Sequence, residues 1–288
     1  MRERWLRLEI IVLALVVVSA CGGTAPAPAG MALRILVTND DGIEAPGILA
    51  LAEALRPLGE VSVAAPAANR SGTSHGVTSD RAIAVRGGER RGQTWYAIEA
   101  TPATCVRLAL ERLLPARPDL VVSGINAGEN LGTVTFYSAT VGAAREAAFQ
   151  GIPAIAVNLA GADRTGYETA ASITAAIVRT LGKDGIATGT FLNINVPGLP
   201  REGLRGVRIT RQDTRAPVDL FEKTVSPDGV TEYKPRWEHL EPAGADTDIW
   251  AVRNGYVSVS VFGFDQTAAA PPAASHGLRK RLESILFR

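Results

Sequence analysis

The pattern of apolar and polar positions predicts a parallel sheet enclosed by helices. Short, continuously apolar segments alternate with longer segments whose apolar residues recur every three or four positions. Continuous apolar runs are typical of strands that are buried on both faces of a sheet. We therefore expect an α/β fold with a Rossmann-like, three-layer, mostly parallel sheet. The predicted strands are residues 34–38, 61–66, 119–124, 153–159 and 191–197.

The segments between these strands carry helix-start signals. Pro46 and Pro102 suit the first turn of a helix, and Thr101 and Ser138 suit the residue just before one. Between the second and third predicted strands, "RAIAV" (81–85) and "TWYAIEA" (94–100) indicate a hairpin or two edge strands.

The pattern changes after residue 200. Four segments there read as strands, and only the last segment reads as a helix. These strands are 206–212, 231–239, 248–252 and 255–263, and the helix is 277–287. We interpret residues 31–200 as a Rossmann-like catalytic core and residues 201–288 as a β-hairpin arm with a terminal helix that serves oligomerisation.

Residues 1–30 read as a leader. Three arginines precede a short apolar stretch, and small residues lead directly into Cys21 and then into a flexible "GGTAPAPAG" tether. This order is typical of an exported lipoprotein, with Cys21 as the lipidated residue and the lipid as the membrane contact. The alternative is a chain that starts at Met31 and stays in the cytoplasm.

Composition excludes some classes of function. The chain has 288 residues, is 46% hydrophobic, and carries a net charge of only +1, so no basic surface for a nucleic-acid polymer is indicated. The two cysteines give neither zinc-site spacing nor a disulfide framework, and Cys105 suits a buried structural thiol.

Polar residues follow three of the predicted strands at the point where each strand ends. "TNDDG" carries Asp40 and Asp41, "NRSG" carries Ser71, and "SGINAG" carries Asn126. Because ligands bind beyond the carboxyl ends of the strands in such sheets, we expect these oxygen donors to converge. Oxygen ligands of this kind suit a hard divalent cation such as Mg²⁺ or Mn²⁺.

An anion site is expected beside the cation. Ser138 and Thr140 lie at the start of a predicted helix, where backbone N–H groups bind anions, and Asn130 is a further candidate phosphate ligand. A cation beside an anion site indicates phosphoryl chemistry. Taken alone, an Asp-Asp-Gly sequence is more often a turn than a metal site, and Ser138 is more often a helix cap than a substrate contact. Whether His75 has a catalytic role stays open.

These motifs, in this order, resemble the SurE (survival protein E) family of nucleotidases. The resemblance rests on "ILVTNDDGIEAPGI", "APAANRSGTSHGVT", "PDLVVSGINAGENLG", "YSATVGAAREAAFQGIPAIAVN", "FLNINVP" and "DTDIWAVRNGYVSVSV". It implies a metal-dependent phosphatase of nucleoside 5'- and 3'-monophosphates, sometimes of polyphosphate, with a swapped, oligomer-forming C-terminal part. The family's metal ligands fall on Asp40, Asp41, Ser71 and Asn126. The family commonly has "YSGTV" where this chain has Ala139, and it usually lacks a leader.

The sequence thus predicts a phosphomonoesterase with one Mg²⁺ or Mn²⁺ per subunit, working as a homodimer or homotetramer. The attacking group is either a water or Asp40 itself, and water is favoured because both carboxylates are committed to the cation. Two other classes stay open: a lipoprotein solute-binding module without turnover, and a hydrolase with an aspartyl-phosphate intermediate.

Overall fold

A nine-stranded sheet forms the centre of the protein in a computed structural model that describes residues 32–161, 166–182, 184–215, 218–238 and 241–265. Six neighbouring strands run parallel, as the continuous apolar segments predict. In spatial order they are β4 (Gln93–Ile98), β2 (Gly59–Pro66), β1 (Leu33–Thr38), β5 (Leu120–Ala127), β6 (Ala154–Ala160) and β7 (Thr190–Pro197).

Helices cover both faces of this sheet, so the predicted three-layer α/β architecture is confirmed. One face packs against α1 (Pro46–Leu55) and α4 (Tyr167–Leu181), and the other packs against α2 (Pro102–Leu108) and α3 (Ala139–Phe149). Alanines dominate the buried side of α3, which allows this helix to lie close to the sheet. A short π-helical turn, Ala109–Leu113, continues α2.

The edge hairpin is present but shifted along the chain. Its first strand is β3 (Val85–Arg90), which pairs antiparallel with β4, and not the predicted segment 81–85. The tight connection at Arg91 and Gly92 fixes the register, so that Val85 pairs with Ile98 and residues 81–84 lie outside the ladder.

The C-terminal part contributes to the same sheet and adds a separate hairpin. The strand β11 (Val257–Gly263) pairs antiparallel with β7, and β8 (Val207–Thr210) closes that edge. The hairpin consists of β9 (Val218–Val225) and β10 (Thr231–Glu238).

In the C-terminal part, one expected strand is a helix. "DIWAV" was expected to be a strand, but it forms α5 (Asp248–Arg253), because the Thr247 hydroxyl caps the helix by accepting from the Trp250 N–H at 3.3 Å. The predicted helix 277–287 lies outside the described residues, as does the leader 1–30.

The chain changes direction across the sheet at β1. Strand β2 lies on one side of β1 and β5 lies on the other, so a crevice opens between the carboxyl ends of β1 and β5. Gly47 allows α1 to approach β5 here, since a Cβ at this position would lie 2.0 Å from the Ile125 carbonyl oxygen. Across the ranges that the structure describes, no helix has the length and apolar character needed to cross a membrane.

Candidate functional site

A cavity of about 410 Å³ lies at the carboxyl ends of β1 and β5. We call it the site cavity. The loop after β2 and the N-terminus of α3 complete its walls, as the polar strand ends predicted. Its lining residues are Asp40, Ser71, Gly72, Asn126, Ala127, Gly128, Glu129, Asn130, Val134, Tyr137 and Ser138.

The two adjacent aspartates are held by different parts of the fold. Asp40 is only 3% exposed, and its Oδ1 accepts a hydrogen bond from the Thr140 hydroxyl. Asp41 Oδ2 accepts from the Ala127 N–H at 3.0 Å, which links the end of β1 to the end of β5. Burial raises the pKa of Asp40 to about 6; the Thr140 hydrogen bond opposes this rise, and the negative charge of Asp41 adds to it.

The loop that carries Ser71 is fixed at several points. The Arg70 N–H donates to the Asp40 carbonyl oxygen at 2.7 Å, and the Asn69 side-chain oxygen accepts from the Ser71 N–H at 2.8 Å. The Ser74 N–H donates to the Tyr137 carbonyl oxygen at 3.2 Å. These bonds hold the Ser71 side chain at the wall of the site cavity.

His75 secures the far end of that loop. Its Nε2 lies 2.7 Å from Glu146 Oε2 on α3. Burial of Glu146 would raise its pKa, but hydrogen bonds from His75 and Gln150 outweigh burial, and the pKa of Glu146 is lowered. His75 is not among the residues that line the site cavity, so the geometry gives it a structural contact with α3.

Asn126 and Asn130 reach the site cavity from the segment after β5. The Asn126 side-chain N–H donates to the Gly128 carbonyl oxygen at 2.9 Å. The side-chain oxygen of Asn126 takes no part in that hydrogen bond. Asn130 is 6% exposed, and its amide N–H donates to Asn158 Oδ1 at 2.6 Å.

The N-terminus of α3 presents two predicted site residues in different ways. Ser138 lines the site cavity and is also the helix cap, since its hydroxyl accepts from the Val141 N–H at 3.1 Å. Thr140 is completely buried and directs its hydroxyl to Asp40. Ala139 is buried at the first position of α3 and does not line the site cavity.

The donor chemistry of the site cavity fits a divalent cation. Asp40 and Asp41 are adjacent carboxylates, one of them nearly fully buried, and Asn39 Oδ1 beside them is buried with no hydrogen-bond partner in the described structure. A cation would compensate both the repulsion and the desolvation of these oxygens. The candidate ligands are carboxylate, hydroxyl and amide oxygens, which hard divalent cations prefer. Within the described ranges, no three His, Cys, Asp or Glu side chains cluster together.

Sequence reasoning missed several residues around the site cavity. Glu129 and Tyr137 line it, and three buried amides, Asn158, Asn193 and Asn195, lie behind Asn130. The detectable signal was an asparagine inside an otherwise apolar strand, in "PAIAVNL" and "FLNINVP". A buried polar side chain in a strand requires partners, and those partners proved to be at the site.

Comparisons with known proteins agree with this geometry. The family profile described as "Survival protein SurE" matches residues 35–219. A 5'/3'-nucleotidase SurE from Cronobacter sakazakii is 47% identical over 241 residues, covering 82% of this chain and 92% of that protein. A 5'-nucleotidase SurE from Alkalilimnicola ehrlichii is 45% identical over 238 residues, covering 82% of this chain and 91% of that protein.

A solved structure supports the same conclusion. The crystal structure of the SurE protein from Aquifex aeolicus superposes with a TM-score of 0.72 at 40% sequence identity, covering 82% of this chain and 95% of that one. The profile match, the sequence identity over most of the chain and the shared fold all point to one family. The chain belongs to the survival protein SurE family.

Proposed function

We propose that this protein is a divalent-metal-dependent phosphomonoesterase that hydrolyses nucleoside 5'-monophosphates to nucleoside and phosphate. Nucleoside 3'-monophosphates and short polyphosphate are further candidate substrates. The observation that carries the proposal is the pair of adjacent carboxylates Asp40 and Asp41: Asp40 lines a cavity that also contains a helix N-terminus, and Asp41 is bonded to Ala127 in the wall of that cavity. The names of the two relatives, 5'/3'-nucleotidase and 5'-nucleotidase, support this choice of substrate.

Asp40, Asp41, Ser71 and Asn126 would hold one Mg²⁺ or Mn²⁺. When bound, such an ion polarises a phosphate oxygen and makes a water more acidic. The protein keeps its ligands in place before the ion arrives: the Thr140 hydroxyl fixes Asp40, the Ala127 N–H fixes Asp41, and the Gly128 carbonyl fixes the Asn126 amide. This arrangement lowers the reorganisation needed on binding.

The phosphate group would contact Asn130 and the N-terminus of α3 at Ser138. Both residues line the same cavity as Asp40, and the first N–H groups of a helix favour an anion. Val134 and Tyr137 give the cavity an apolar side that suits the base or the ribose. We assign Thr140 to supporting Asp40 instead of contacting phosphate, since its hydroxyl donates to that carboxylate.

The attacking group in this proposal is a water, with Asp40 contributing by positioning. Asp40 is nearly fully buried and its Oδ1 is already engaged by Thr140, which suits a ligand more than a nucleophile. Direct attack by Asp40 would form a phospho-enzyme. A covalent adduct trapped by rapid quench with labelled substrate would overturn the water assignment.

We further propose a homodimer or homotetramer built on the C-terminal part. Large apolar side chains are exposed there, among them Phe221 and Tyr233 on the hairpin and Ile209 on the edge strand. Size-exclusion chromatography with light scattering tests this, and a monomer would contradict it.

We also propose that Cys21 carries a lipid anchor. Cys21 belongs to the leader, which lies N-terminal to the residues 35–219 that match the family. Membrane fractionation of Cys21→Ala against wild type tests it.

The decisive experiment measures phosphate release from AMP, GMP, 3'-AMP and polyphosphate after EDTA treatment and after adding back single metals. We expect activity to return with Mg²⁺ or Mn²⁺ and to fall at least a hundredfold in Asp40→Asn and Asn126→Ala. Unchanged rates in both variants would refute the metal site. Binding of nucleotide without any turnover would favour a solute-binding module instead.

A further inference from the structure

Three buried asparagines form a hydrogen-bonded cluster behind the site cavity. Asn158 lies in β6, and Asn193 and Asn195 lie in β7, and each is fully buried in the middle of the sheet. Asn158 and Asn195 are register partners in the parallel pair of these strands. A buried amide side chain destabilises the fold unless its donors and acceptors find partners. The hydrogen-bond partners of these three side chains therefore indicate which part of the protein the cluster holds in place.

Their partners converge on Asn130. Asn195 Oδ1 accepts from the Asn130 backbone N–H at 2.8 Å, and the side-chain N–H groups of Asn193 and Asn195 donate to the Asn130 carbonyl oxygen at 2.9 and 3.1 Å. Asn158 Oδ1 accepts from the Asn130 side chain at 2.6 Å. Both the backbone and the side chain of Asn130 are therefore held by β6 and β7.

The backbone groups also decide which way each amide faces. The Ile194 carbonyl oxygen can only accept, so the Asn158 side chain must turn its nitrogen to it, at 2.8 Å. The same nitrogen donates to Asn193 Oδ1 at 2.8 Å, which leaves Asn158 Oδ1 as the acceptor for Asn130. The Asn130 amide is thereby prevented from flipping. Asn130 lines the site cavity, and the cluster uses neither its second side-chain N–H nor its side-chain oxygen.

We propose that Asn158, Asn193 and Asn195 are positioning residues that fix the orientation of Asn130 for its contact with the substrate phosphate. This inference rests on the proposed function, since it requires Asn130 to contact substrate. A buried amide cluster that served the sheet alone would be satisfied between the strands. Here the cluster instead directs one acceptor and two donors at the main chain of a loop residue, and another acceptor at its side chain.

The test is a double-mutant cycle between Asn130 and Asn158 with AMP at saturating Mg²⁺. We expect Asn158→Leu to lower kcat/KM about tenfold, mainly through KM, and Asn130→Ala to lower it at least as much. The double variant should lose no more than Asn130→Ala alone, because Asn158 acts only through Asn130. The Mg²⁺ concentration for half-maximal activity should stay unchanged.

Thr174→Val is the matched control, because Thr174 is equally buried and its hydroxyl only donates to the Ala170 carbonyl oxygen within α4. This variant should keep wild-type kcat/KM. If Asn158→Leu does not fold, Asn158→Ser replaces it in the cycle. A serine hydroxyl can still accept from Asn130, so we expect a smaller loss in kcat/KM that is again absent on the Asn130→Ala background.

Additive losses in the double variant would overturn the positioning role, and so would wild-type kcat/KM in Asn158→Leu. Wild-type kcat/KM in Asn130→Ala, with activity abolished in Asp40→Asn, would overturn this inference and leave the proposed phosphatase intact. No metal-dependent phosphate release from the wild-type protein would overturn the proposed function and this inference with it.

Discussion

Replacing Thr140 with valine tests how the buried carboxylate of Asp40 is kept ready for a cation. Valine has nearly the shape of threonine, so the main change is the loss of the hydroxyl that donates to Asp40 Oδ1. Both side chains are buried, so water cannot easily replace the lost donor. The hydrogen bond lowers the pKa of Asp40 against the effect of burial, and without it the charged form is less favoured.

The magnitude follows from the hydrogen bond. A bond to a charged group contributes about 1.5–3 kcal/mol, which corresponds to about a tenfold to hundredfold change in affinity for a ligand that requires the carboxylate. We expect the Mg²⁺ concentration for half-maximal activity to rise by at least tenfold in Thr140→Val. The acid limb of kcat/KM should move to higher pH by about one unit, because Asp40 must lose its proton before it can bind the ion.

The assay is phosphate release from AMP as a function of Mg²⁺ at several pH values, with Mg²⁺ affinity measured separately by calorimetry. Thr140→Ser should restore both parameters, because it keeps the hydroxyl. Thr174→Val removes a buried hydroxyl at a distant helix position and should change neither. A Thr140→Val protein with wild-type Mg²⁺ dependence and an unshifted acid limb would refute the reasoning.

Three further predictions test the same site. The raised pKa of Asp40 means that ionisation of this carboxyl lowers the free energy of unfolding as pH rises from 3.8 to about 6. In EDTA at pH 8, Asp40→Asn should therefore be more stable to urea than wild type by about 3 kcal/mol, and the difference should disappear well below pH 3.8, where the carboxyl is protonated in both the folded and the unfolded state. In Gly142→Ala, the new Cβ would lie 2.3 Å from the Ser74 carbonyl oxygen. Urea denaturation should show that the free energy of unfolding falls by about 1–3 kcal/mol, and kcat/KM should fall because the loop that carries Ser71 moves. Full activity would contradict this. Ser138→Ala removes the helix cap and should lower the free energy of unfolding by about 1 kcal/mol. Ser138→Asp should keep the cap but raise KM for AMP, because its negative charge repels phosphate. An unchanged KM would argue against a phosphate at this position.

The sequence predicted the central sheet well because its strands are buried on both faces. Continuous apolar segments that alternate with helices are compatible with few folds other than a parallel sheet, and all five predicted parallel strands are present. The predictions were weaker at the edges. "DIWAV" is apolar enough for a strand, but it is helical in the fold, where the Thr247 hydroxyl caps it by accepting from the Trp250 N–H. The segment 81–85 suits a strand locally, but the pairing of Val85 with Ile98 left most of it outside the sheet.

By itself, the sequence determined that Asp40, Asp41, Ser71 and Asn126 follow strand ends, and the rule that ligands bind at those ends predicts that they lie close together. In the fold, Asp40, Ser71 and Asn126 line one cavity. Only the tertiary structure decided what each polar group contacts. It turned the Thr140 hydroxyl towards Asp40, and it used the amides of β6 and β7 to hold Asn130. The physical reason is that strand and helix patterns depend on neighbours along the chain, whereas a hydrogen bond between residues 40 and 140 depends on how the elements pack.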